Sequence, residues 1–144
     1  MFHKITAAAP LEGLRLLAHF SDGTAREYDL APLLDSYPAF RDLEAVPGLF
    51  RQVRVDPGGY GVSWNDDLDL SAEEIYVNGR PAATPFDGLL SFADATELWG
   101  LSESALRKAV AYRRLVDGLD VKKYGKQWLV TRDAMEREYG QPRG

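Results

Sequence analysis

Short apolar runs separated by turn-forming residues dominate the first half of the chain. Residues 3–8 and 14–20 read as extended segments, with Ser21-Asp22-Gly23-Thr24 between the second run and the next as a hairpin turn. In residues 26–30, Tyr28 and Leu30 alternate against Glu27 and Asp29, the period of a half-buried strand. These segments predict an antiparallel meander. Leu33, Leu34, Phe40 and Leu43 then fall at helical spacing, interrupted at Pro38, which has no amide hydrogen to donate. Residues 50–55 and 60–64 flank Asp56-Pro57-Gly58-Gly59 and predict a second hairpin. Ser71-Ala72-Glu73-Glu74 has capping-box spacing, so the Ser71 hydroxyl and the Glu74 carboxylate are both expected to take free amides of a helix running toward Val77. Residues 78–85 hold Pro81 and Pro85 and little that can pack, which suits a connection. The resulting expectation is an N-terminal α+β domain over residues 1–80, a linker over 81–88 and a second domain over 89–144.

From Ser91 the pattern changes to helical. Ser91 is placed to cap a helix carrying Phe92, Ala95, Leu98 and Trp99 on one face, and Gly100 stands where that helix must turn. Leu101 fills the corner, and Ser102 caps a second helix whose Leu106, Ala109 and Val110 face inward. Glu103, Ser104, Arg107, Lys108, Ala111 and Arg114 are left on the outer face. Small polar groups at a helix start followed by cations suit a recognition helix, whose first turns meet base edges in the major groove. Arg107 is the expected base contact, because a guanidinium bridges both acceptors of guanine, and Lys108 is the expected phosphate contact. Residues 120–124 and 127–131 read as two strands joined at Gly125-Lys126, and Thr131 caps a last helix through Tyr139. This hairpin predicts a wing, with Lys122, Lys123 and Lys126 near its tip and Trp128 and Leu129 anchoring it.

Charge sharpens the division. The net charge of −5 opposes nucleic-acid binding only if it is spread evenly. Through Gly88 there are seven cations and fourteen anions, whereas from Leu89 onward ten cations face eight anions. Between Arg107 and Arg132 only Asp117 and Asp120 oppose the basic residues, so the two halves have different electrostatic character. With no cysteine, a disulfide framework, a thiolate nucleophile and a zinc–cysteine site are all excluded. No apolar run approaches a membrane span and residues 1–10 lack a secretory layout, so a cytoplasmic protein without a membrane partner is expected.

The stretch AxxLWGLSESALRKAV followed by RRLVDGLDVKKYGKQWLVT, over about the last 55 residues, resembles the excisionase and MerR-type winged helix-turn-helix domains. In the first half, PGLF, DPGGYGVSWNDDLDLS and the following EE resemble a bacterial family of small uncharacterised α+β domains found in antitoxin-like gene pairs. The first resemblance implies double-stranded DNA as a partner, and the second a small toxin-like protein. Helix-turn-helix proteins commonly pair so that two recognition helices reach successive major grooves about 34 Å apart, so a homodimer is expected. The expected fold is α+β: a small antiparallel-sheet N-terminal domain with short helices, then a winged helix-turn-helix.

Other chemistry is weaker. Asp66, Asp67, Asp69, Glu73 and Glu74 invite a metal or acid–base reading, but they precede or open a capped helix, where its dipole favours negative charge, and they lack calcium-loop spacing. Gly58, Gly59 and Gly61 belong to no phosphate-loop pattern. His3 and His19 lie on predicted strands and read as structural, and Trp64, Trp99 and Trp128 lie in apolar patterns that suit a core. No catalysis, metal or cofactor is therefore expected. The candidate DNA-binding residues are Ser102, Glu103, Ser104, Arg107, Lys108, Arg114, Lys122, Lys123 and Lys126. The leading expectation is a sequence-specific DNA-binding regulator or antitoxin-like repressor. The competing one is a protein-interaction adaptor or antitoxin whose helix-turn-helix no longer binds DNA.

Overall fold

The structure, a computed structural model, describes residues 2–143 and divides into two units, Met1–Pro85 and Phe86–Gly144. The fold is α+β. In the first unit, β1 (Ile5–Leu11), β2 (Arg15–Phe20) and β3 (Ala25–Asp29) form the antiparallel meander. Alternation along β2 buries Leu16, Ala18 and Phe20, as the period of two requires. The chain then makes α1 (Ala31–Ser36), a tight 3-10 turn at Pro38–Arg41 and α2 (Asp42–Ala45). A second sheet joins β4 (Arg54–Val55), β5 (Gly61–Ser63) and β6 (Asp69–Ser71), and Ser71 opens α3 (Ala72–Asn78). Finally β7 (Arg80–Ala82) pairs antiparallel with β3, completing the order β1-β2-β3-β7. Part of the segment expected as a linker is thus a strand.

The core of this unit gathers Leu16, Phe20, Leu30, Val62, Trp64, Leu68 and Ile75. Trp64 stacks on Phe50 at 6.1 Å between ring centres, and its indole N–H donates to the Phe50 carbonyl at 3.1 Å. That contact explains why residues 50–52 are not strand: they turn as a 3-10 segment that buries Phe50 against the indole. Beyond Trp64, the Asn65 side-chain oxygen accepts the amides of Asp67 and Leu68, both at 2.9 Å, which folds the acidic segment into an Asx-type turn. Gly59 is required here. It sits at φ +77, and a Cβ would lie 2.5 Å from the Ile5 carbonyl oxygen, so any side chain would strain the turn and displace β1.

In the second unit, β8 (Leu89–Ser91) leads into α4 (Phe92–Trp99), which turns into α5 (Glu103–Ala111). The hairpin β9 (Val121–Tyr124) and β10 (Gln127–Thr131) follows, then α6 (Arg132–Tyr139). The sheet order is β8-β10-β9, antiparallel throughout. Ser91, Ser102 and Thr131 each accept a hydrogen bond at 3.0–3.1 Å from the backbone N–H three residues on, the N-cap geometry expected of them. Leu90, Phe92, Ala95, Leu98, Trp99, Leu106, Leu115, Val121, Val130 and Met135 form a separate core.

Candidate nucleic-acid interface

The helix pair α4–α5 is held by its corner. Gly100 adopts the left-handed conformation (φ 66), and the amides of Gly100 and Leu101 both return to the Thr96 carbonyl, closing α4 in one step. Leu106, fully buried, and Ala109 fix the inner face of α5. Ser102, Glu103, Ser104, Arg107 and Lys108 are all exposed. Arg107 forms an i,i+4 pair with Glu103 at 3.5 Å, both side chains more than half exposed. Such a pair contributes only about 0.3–0.5 kcal/mol, so Arg107 can leave it for a stronger acceptor.

Arg107 also lines a cleft of about 230 Å³ together with Glu103, Ser91, Phe92, Ala93 and the hairpin residues Lys126, Gln127 and Trp128. The start of α5 and the tip of the hairpin therefore border one surface. Trp128 anchors the hairpin by stacking on Phe92 at 5.8 Å. Strand alternation separates the lysines. Lys123 pairs across from Trp128 and shares the face of buried Val121, whereas Lys122 lies on the other face, its Nζ 5.6 Å from the Tyr124 ring centre. Lys126 follows Gly125 in the turn.

Arg114 is placed differently from the expectation. α5 ends at Ala111, so Arg114 lies beyond it. Its guanidinium donates to the Glu138 carboxylate at 3.0 Å and the Glu138 carbonyl at 2.8 Å, and lies 4.6 Å from the Tyr139 ring centre. It ties the end of α5 to α6.

Sequence reasoning missed the neighbouring pair. Asp120, 4% exposed, takes two bonds from Arg137 at 3.1 and 2.8 Å and one from the Val116 amide at 2.9 Å. The Arg137 bonds first, then the Val116 amide, hold the Asp120 carboxyl below the usual carboxylate range. Its signal was only the i,i+17 charge pair, which no local pattern marks. Because the folded value is lowered, this contribution is present above the unfolded pKa near 4 and is lost as pH falls below it. Asp120→Asn should therefore lower thermal stability at pH 7 by about 1–2 kcal/mol. The gap between variant and parent should close as pH falls from 5 to 2 in a calorimetric series, and a gap independent of pH would contradict the ionic account.

Of the acidic residues before and within α3, Glu73 and Glu74 are engaged with protein partners. Glu73 accepts the His3 amide at 2.7 Å and the His3 ring at 3.0 Å, and the backbone bond leads in lowering its pKa. His3 stacks on Tyr76 at 3.5 Å. Only half of the expected capping box forms. The Ser71 hydroxyl accepts the Glu74 backbone amide, but the Glu74 carboxylate accepts from the Tyr28 hydroxyl at 2.8 Å and the Asn78 side-chain Nδ2 at 2.9 Å. Burial, then that bond, raises the Tyr28 pKa. Among the described residues, no group of three or more His, Asp or Glu is arranged to hold a metal, and no helix is long and apolar enough to cross a membrane.

Two capped helices around a left-handed glycine, followed by a hairpin, define a helix-turn-helix protein, and residues 83–144 match a family described as a helix-turn-helix domain. Residues 5–81, more than half the chain, match the family described as a protein of unknown function, DUF2442, and the chain belongs to that family. No curated protein matches the chain. Among solved structures it is similar to that of NE0471 from Nitrosomonas europaea, provisionally named a DNA binding protein, with 20% identity, a TM-score of 0.46 and 78% of each chain covered.

Proposed function

We propose that this chain is a sequence-specific double-stranded DNA-binding protein, a transcriptional regulator or antitoxin-like repressor that acts as a homodimer. The supporting observation is the surface shared by α5 and the hairpin, on which Arg107 and Lys126 border one cleft. In this reading the first turn of α5, with Ser102, Glu103, Ser104 and Arg107, enters the major groove and reads bases. Lys108 contacts phosphate. The hairpin serves as a wing, with Lys123 and Lys126 toward the backbone or the adjacent minor groove. Arg114 supports the surface from behind through Glu138. The reading assigns no reaction, and the first unit contributes partner contacts.

The test is selection of bound duplexes from a random pool, followed by a mobility-shift titration of the selected sequence. The expected result is a palindromic consensus bound with an affinity that falls steeply with salt. No enrichment over the starting pool, or binding insensitive to salt, would overturn the reading.

A further inference from the structure

The first unit holds an open cleft of about 400 Å³ whose lining comes from separate elements: Leu33 on α1, Tyr37 and Phe40 just beyond it, Asp69 and Leu70 on β6, and Glu74 on α3. Phe40 reaches the core through an edge-on contact with Trp64 at 6.4 Å, and Tyr37 meets Phe40 edge-on at 6.3 Å. Tyr37 is nevertheless 59% exposed, and its hydroxyl makes no hydrogen bond among the described residues. A large ring is thus held at the cleft with more than half of its surface open. None of the lining residues is cationic, and two are carboxylates. Strand alternation buries Leu70 and leaves Asp69 exposed, and the Asp69 carboxylate makes no hydrogen bond or ion pair among the described residues. Glu74 is held in place: its Oε2 accepts from both the Tyr28 hydroxyl and the Asn78 Nδ2, which leaves Oε1 open. Both donors are neutral, so the charge of Glu74 is oriented without being compensated.

That combination selects a ligand. A purely apolar group would strip water from two carboxylates, and an anion would be repelled. A metal ion lacks its ligand set, since no group of three or more His, Asp or Glu is arranged to hold one among the described residues. A cation on an apolar stem meets every requirement, with its methylenes against Leu33 and Leu70, its charge on the carboxylates and the Tyr37 ring alongside. A guanidinium fits better than an ammonium, because it is planar, stacks on aromatic rings and donates to two oxygens at once. The cleft is open on its outer side, which suits a side chain projecting from a larger body, and fourteen anions against seven cations through Gly88 draw a basic surface toward it. We infer that the first unit docks a basic partner protein by taking one of its arginine side chains into this cleft, the guanidinium on Asp69 and Glu74. This rests on the partner contacts proposed above for the first unit and gives them a site and a chemistry.

Selection from a random peptide library on the immobilised full chain, without DNA, tests this separately from DNA binding. The enriched peptides should share an arginine. A synthetic copy of the best should lose about tenfold or more in affinity when that arginine is replaced by citrulline, its neutral isostere, and several-fold when it is replaced by lysine. Asp69→Asn and Glu74→Gln should each weaken the original peptide about five- to tenfold, and Tyr37→Ala a few-fold, with circular dichroism unchanged because each substitution is at the surface or keeps an oxygen for Tyr28. Peptides without arginine, tolerance of citrulline, or binding indifferent to the three substitutions would overturn the cleft while leaving partner contacts elsewhere on the chain. No enrichment would overturn the partner contacts as well. Ethylguanidinium displacing the peptide at concentrations near the peptide's own would make the cleft a small-molecule site and overturn protein docking.

Discussion

Trp64→Ala is expected to lower the unfolding free energy of the first unit by about 3–5 kcal/mol, the range for truncating a buried aromatic side chain. The indole is 2% exposed, stacked on Phe50 and edge-on to Phe40 at 6.4 Å. Its removal leaves a cavity where the 3-10 turn, the second sheet and the Asn65 turn meet. It also strips the Phe50 carbonyl of its donor, which adds a desolvation penalty. For a unit of this size the midpoint should fall by more than about 12 °C. Trp64→Phe refills most of the volume but not the hydrogen bond, so it should fall between the two. Urea unfolding followed by far-ultraviolet circular dichroism separates the cases. An alanine variant within about 1 kcal/mol of the parent would mean that the indole is not the keystone of this core.

The same tryptophan shows what was readable beforehand. Its apolar context marked it as core, yet the residues it packs on were read as strand, because the turn of residues 50–52 is set by a contact fourteen residues away. The helix-turn-helix was legible almost to the residue because its signals are local: Ser91, Ser102 and Thr131 each announce a helix within three positions, and Gly100 announces the corner. Strands β6, β7 and β8 have three residues each, too few to display a period of two. They exist because a neighbouring strand offers free backbone groups. For β7 that neighbour is β3, about fifty residues earlier in the chain. Arg114 was assigned to the outer face of α5 by continuing the helical count past Ala111, where the chain reverses through Arg113. Glu74 left its capping role for Tyr28, forty-six residues away. Local chemistry was read correctly wherever it decided the geometry, and misread wherever a distant partner offered more.

The proposed DNA surface gives the second large effect, and the geometry predicts that its cations differ in kind. Arg107→Ala should weaken binding to the selected sequence by about 1–3 kcal/mol, roughly 5- to 150-fold, and relax preference at one base pair. On random DNA the same substitution should cost far less, since only the phosphate attraction is reduced. Lys126→Ala should weaken binding to every sequence and make the slope of log affinity against log salt shallower by about 0.9, the release of one counterion set. Lys122, on the opposite face of the strand beside Tyr124, should change the slope by much less. Glu103→Gln sharpens the point. It removes an anion 3.5 Å from the Arg107 guanidinium, so affinity for random DNA should rise while discrimination between sequences falls. Mobility-shift titrations at four salt concentrations on both DNAs measure all of these. If the Lys122 and Lys126 variants lost affinity equally, the hairpin would be acting as a diffuse positive charge, and the cleft between α5 and the hairpin would have no special part in binding.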